Sequence, residues 1–127
     1  MPAEAPSGAA LTDPEDVKLV TLARSTRART RAAQGACVRD PDGRTYAAAT
    51  VELPSLRLSA VQVAVAMAVT SGARGLEAVV VLGEADAPGA GDTVPEADLA
   101  AVRDLAGPGV PVHLTAPDGS LLASVTS

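Results

Sequence analysis

Residues 58–69, LSAVQVAVAMAV, constrain the fold more than any other part of this chain. The stretch has the length of a helix, and after its opening serine only Gln62 interrupts it. A helix without a polar face must be covered on every side. In a chain of 127 residues this calls for an enclosed core, or for a place between a sheet and partner subunits. The stretch is too short to span a bilayer, so no membrane segment is expected.

The core that receives this helix must be built from small residues. The chain has no Phe and no Trp, and Tyr46 is its only aromatic. Ala, Val and Leu let elements approach closely, but each side chain buries little area. The length suits one domain. A bias toward Ala, Gly, Arg and Asp points to a GC-rich genome. The net charge of −5 argues against general nucleic-acid binding, which rests on cationic contacts to phosphates. Cys37 is the only cysteine, which rules out a disulfide within the chain. The first residues lack a cationic start and an apolar signal core. A cytoplasmic protein is the expectation.

Residues 1–12, rich in Ala, Pro and Gly, read as a mobile tail preceding one domain over 13–127. Thr12-Asp13-Pro14-Glu15-Asp16 has a capping side chain, an early proline and acids near the positive end of a helix dipole. The helix should run to about Arg31, with Leu19, Leu22, Ala23 and Thr26 on its core stripe. Residues 36–39 and 44–52 read as a hairpin around Asp40-Pro41-Asp42-Gly43. Pro54 breaks the chain before the apolar helix, which Gly72 stops. Residues 76–82 suit a buried strand, 85–94 a polar loop, and 95–105 a short amphipathic helix. Two strands, 110–115 and 121–125, flank a turn at Pro117-Asp118-Gly119. Elements in this order imply a sheet with helices packed on it.

Several residues in this order resemble the cytidine deaminase family over roughly residues 17–126. Gly35-Ala36-Cys37-Val38 resembles the small-residue opening of the family's first strand. Asp42-Gly43 matches its turn, and Thr50-Val51-Glu52-Leu53 falls where the family has Asn-x-Glu-Asn. Ser59-Ala60-Val61-Gln62 falls on the segment where the family begins its buried helix with Cys-Ala-Glu. Residues 94–99 fall on the family's Pro-Cys-x-x-Cys. The resemblance implies a three-layer α/β/α sandwich with a mixed five-stranded sheet. It also implies a homo-oligomer, a dimer or tetramer.

The departures lie in the chemistry. In zinc deaminases one His or Cys and two Cys hold a metal that activates water, and a Glu moves protons. Such a site needs three N or S ligands. The chain has one Cys and one His in total, so zinc is expected to be absent. Ser59 stands at the position of the first ligand and Val61 at that of the proton-moving Glu. Glu96 and Asp98 offer a hard cation two carboxylates, although acids in a first helical turn are usually caps. The base-stacking aromatic corresponds to Ala32 and the ribose-binding Asn to Thr50. Glu52 matches the carboxylate that holds a ribose hydroxyl, or it is an exposed residue at a strand end. Thr50 and Glu52 are thus the ligand-binding candidates, for a nucleoside-like small molecule.

Other candidates are weaker. His113 could serve Cys37 as a base only if the two meet; otherwise Cys37 is a small buried hydrophobe. Arg24, Arg27 and Arg31 share a helix face and form a basic patch, or a solvated surface paired with nearby acids. The reading is a degenerate, non-catalytic cytidine deaminase homologue acting as a binding or scaffold protein. Its alternatives are an enzyme reusing the old pocket, nucleoside deamination included, and an RNA-binding module on the Arg face.

Overall fold

The computed structural model describes residues 11–83 and 94–127. The expected tail, but for its last two residues, and nearly all of the expected polar loop lie outside the described residues. Helix α1 spans Pro14–Thr30. Its cap is Asp13, whose side chain accepts the Glu15 N–H at 2.8 Å, and Arg31 closes it in the left-handed region at φ 55°. Strands β1 (Gln34–Arg39) and β2 (Thr45–Ala49) form an antiparallel hairpin. The Asp40 carboxylate holds its turn, accepting the Asp42 and Arg44 N–H groups at 2.9 Å each and the Tyr46 hydroxyl at 2.9 Å. Burial pushes the Asp40 pKa up, but these hydrogen bonds outweigh it and leave the carboxyl below its usual range.

The expected long second strand divides. Thr50 leaves the ladder, and Val51–Leu53 (β3) pairs with Leu56–Leu58 (β4) in a separate two-stranded hairpin. Pro54 and Ser55 make its turn. The proline that signalled a break thus sits inside a hairpin, where its fixed φ suits a turn. Helix α2 spans Ala60–Thr70, β5 Ala78–Gly83, α3 Glu96–Ala106, β6 Pro111–Thr115 and β7 Leu121–Thr126.

The sheet order is β2-β1-β5-β6-β7. Only β5 and β6 run parallel, and α3 lies in the connection between them, as a parallel crossover requires. Alternation along the strands sorts the core into two clusters. Ala36, Val38, Val79, Val81, Val112 and Leu114 pack on the side of α2 and α3. Cys37, Ala78, Val80 and Leu82 pack against Leu19, Val20 and Ala23 of α1. The fold is therefore the expected α/β/α sandwich with a mixed five-stranded sheet.

Helix α2 is buried on one side only. Its inner face, Ala60, Val61, Ala64 and Ala68, is buried, but Met67 is 38% and Val69 52% exposed. Among the described residues no layer lies above this outer face, which leaves of the two expected settings the one between the sheet and a partner subunit.

Gly35 sets the approach of α1. A β-carbon built there would lie 2.3 Å from the Ala23 carbonyl oxygen and 2.9 Å from Arg27 Cβ. Both neighbours belong to a packed helix, so neither can yield cheaply. Gly35→Ala is predicted to destabilise the fold by about 1–3 kcal/mol, the usual effect of overpacking. Urea unfolding measures this, and an unchanged midpoint would refute the close approach.

Candidate functional site

The first turns of α2 and α3 meet at the edge of the sheet. Ser59 caps α2 in a reciprocal box: its Oγ accepts the Gln62 N–H at 3.1 Å, and its own N–H reaches Gln62 Oε1 at 2.9 Å. This is the Ser-x-x-Gln pattern that the sequence carries. The Ser59 hydroxyl then donates to Asp98 Oδ1 at 2.6 Å. Asp98 lies in the first turn of α3 and is 4% exposed. Burial raises its pKa, and the bond from Ser59 pulls it part of the way back.

Beside this pair opens a cleft of about 230 Å³, lined by Gln34, Thr50, Val51, Glu52, Arg57, Leu58 and Ser59. The chain path thus brings Thr50, Glu52 and Ser59 to one place. Their freedom differs. The Thr50 hydroxyl accepts the Gln34 N–H at 3.0 Å and donates to the Gln34 carbonyl at 3.2 Å, so it is engaged in anchoring the end of β1. Glu52 is exposed and faces Arg57 across the β3–β4 pair. Val61 is 1% exposed in the core and offers no polar atom. Gln34 was not among the sequence candidates, yet its signal was present: it is two and four residues before Ala36 and Val38, and so shares their inward face.

The donor set does not fit a zinc ion. Among the described residues no three His, Cys, Asp or Glu side chains converge. Asp98 is tied to Ser59, and Glu96 pairs with Arg103 seven residues along α3. No wholly buried side-chain nitrogen or oxygen lacks a partner among the described residues. Serine and carboxylates also lack the N/S character of a tetrahedral zinc site.

Cys37 and His113 lie on the opposite face, under α1. The ladder runs Ala47, Cys37, Val80, His113, Ser124 across the sheet. Val80 separates the two, which puts them two strand spacings, roughly 10 Å, apart. Burial pushes the Cys37 thiol up to about 12, so the thiolate is not formed near neutrality. His113 Nδ1 is 2.8 Å from Ser124 Oγ, and Nε2 is 3.5 Å from Asp16 Oδ2. Arg39 reaches the same aspartate at 3.0 Å. Burial lowers the His113 pKa. These groups hold α1 to the sheet and do not form a nucleophile and base.

The three arginines do different work. Arg24 lies near Asp118, Arg27 Nε donates to the Ala33 carbonyl at 3.3 Å, and Arg31 forms the left-handed end of α1. One of them thus ties α1 to the chain that enters β1.

Comparison with known proteins agrees with this geometry. A family profile described as cytidine deaminase-like matches residues 12–119. The fold is similar to a crystal structure of cytidine deaminase from Burkholderia pseudomallei, with 24% identity, 92% of each chain covered and a TM-score of 0.71. It is similar to cytidine deaminase from Mycobacterium leprae at 21% identity, with 86% of this chain and 90% of that chain covered and a TM-score of 0.63. A mutant cytidine deaminase from Mycobacterium tuberculosis is similar at 20% identity, with 79% and 82% covered and a TM-score of 0.65. No curated protein matches the sequence.

The burial of Asp98 predicts a pH signature. A carboxyl with a raised pKa keeps its proton longer in the folded state than in the unfolded one. The stability this favours is fully present below the unfolded pKa of about 3.9 and is lost as pH rises through the folded value. Asp98→Asn cannot titrate. The unfolding free energy of wild type minus that of Asp98→Asn should therefore fall as pH rises above about 4. A pH-independent difference in urea titrations would contradict the assignment.

Proposed function

Because the chain belongs to the cytidine deaminase-like family, we propose that it is a metal-free member that binds a small nucleoside-like molecule and does not deaminate it. The bond from Ser59 to Asp98 carries this reading. Deamination by the zinc route needs a metal-activated water and a carboxylate that moves its proton. The resemblance puts the first ligand at Ser59, whose hydroxyl is hydrogen-bonded to a buried carboxylate. It puts the proton-moving group at Val61, a core side chain. What remains for a ligand is the polar cleft with Glu52 at its rim.

The same reading includes a cytoplasmic homo-oligomer without a cofactor. Met67 and Val69, exposed on the outer side of the otherwise apolar helix α2, support the oligomer, since exposed apolar surface favours association. The net charge of −5 disfavours nucleic acid as a partner.

Elemental analysis of the purified protein, alongside a cytidine deamination assay with and without added zinc, tests the proposal. The expected outcome is well under one zinc per chain and no uridine formed. One zinc per chain, or turnover abolished by Glu52→Ala, would overturn it. Sedimentation at the mass of a single chain would remove the oligomer from the reading.

A further inference from the structure

His113 is the only histidine in the chain, and histidine is the side chain whose ordinary pKa puts its charge change between pH 5 and 8. It lies on β6 under the first turn of α1, with its side chain 12% exposed. Asp16 faces it from α1, Arg39 from β1 and Ser124 from β7. Its neighbour on β5 is the apolar Val80. Glu77, just before β5, accepts from Arg39 Nε at 3.2 Å and so stands one residue further off.

The seam is arranged for a neutral imidazole. A neutral ring has one nitrogen that donates and one that accepts. The Asp16 carboxylate only accepts, so Nε2, which is 3.5 Å from Oδ2, carries the hydrogen. Nδ1 then accepts from the Ser124 hydroxyl at 2.8 Å. A proton on Nδ1 turns that acceptor into a donor, and the Ser124 hydroxyl must turn its own hydrogen away. It also puts a second cation on a carboxylate that Arg39 already holds at 3.0 Å. Burial, the largest influence, and the Arg39 charge both oppose the charged ring, while Asp16 favours it; the balance leaves the His113 pKa lowered. A ring freed into water escapes both penalties.

We propose that Asp16, Arg39, His113 and Ser124 form an acid-sensitive latch: α1 stays docked while His113 is neutral and loosens from the sheet when His113 takes up a proton. The sign follows from the ring. A histidine held below its ordinary value of about 6.5 contributes stability above that pH, and the contribution is lost as pH falls through the docked value. Asp98, with its raised pKa, acts with the opposite sign. The latch also controls access to the only thiol of the chain. Cys37 is 0% exposed and packs with Leu19, Val20 and Ala23 of α1, so a loosened α1 uncovers it.

Cys37 is therefore the reporter. The full chain is labelled with dithiodipyridine, a disulfide that reacts with thiols in mild acid, at about pH 7.5 and about pH 5.5, on either side of the ordinary histidine value. Each rate is divided by that of the urea-unfolded chain at the same pH, which removes the pH dependence of the thiol itself. In wild type this ratio is expected to rise by about tenfold or more at the lower pH, since a pKa difference of one between docked and released states corresponds to tenfold. His113→Gln keeps a neutral polar side chain and is expected to show no rise; His113→Asn serves if the first variant does not fold. Tyr46 packs on the other side of the sheet, so its fluorescence is expected to hold while α1 loosens. A wild-type ratio equal at the two pH values, or the same rise in the variant, would overturn the latch. A rise accompanied by loss of the Tyr46 signal would overturn it as well, in favour of acid unfolding of the whole domain.

Discussion

The hydrogen bond from Ser59 to Asp98 joins the starts of two helices, and the layer on that face of the sheet depends on it. A carboxylate that is 4% exposed would be strongly destabilising alone, since an unpaired buried charge costs several kcal/mol. With a charged acceptor, a hydrogen bond contributes roughly 1.5–3 kcal/mol. The arrangement is consistent only if α2 and α3 begin side by side. Ser59 and Asp98 join them, and the capping box of Ser59 and Gln62 fixes the position of the serine.

The second constraint is the size of the side chains. With Tyr46 as the only aromatic, the layers must lie close together to fill space. Gly35 under Ala23 shows how close. The lone aromatic is used for polarity as much as for volume, because its hydroxyl completes the set of donors around Asp40. On the α1 face, Asp16, Arg39 and His113 form a half-buried polar seam between helix and sheet. A carboxylate shared by two basic groups there positions α1 without aromatic packing.

Much of the fold was legible in the sequence, because it rests on local signals. Capping residues, prolines and glycines gave the start of α1 and the turns at Asp42-Gly43 and Asp118-Gly119. A continuous apolar run gave the central strand β5, and the turns gave the paired strands around them. The β3–β4 hairpin was not legible, because Thr50 leaves the ladder through a bond to Gln34, sixteen residues away in sequence. Composition alone did not tell which side of the apolar helix α2 would face the sheet and which, with Met67 and Val69, would lie outward. In the site, the scarcity of Cys and His was plain from composition, and Ser59, Thr50 and Glu52 were placed by the resemblance to the family. The partnership of Ser59 with Asp98 did not, because the two are thirty-nine residues apart and a first-turn acid reads as a cap. Gln34 was overlooked for a simpler reason: one polar residue at the start of a strand resembles a boundary.

The account turns on whether Ser59 and Asp98 act as a unit, and a double-mutant cycle measures that most directly. Unfolding free energies of wild type, Ser59→Ala, Asp98→Ala and the double variant, taken at one pH, yield the coupling between the two side chains. A value of about 1 kcal/mol or more, within the range of contacting polar pairs, is the predicted result. Additive effects, with a coupling indistinguishable from zero, would contradict the claim that this bond holds the two helix starts together.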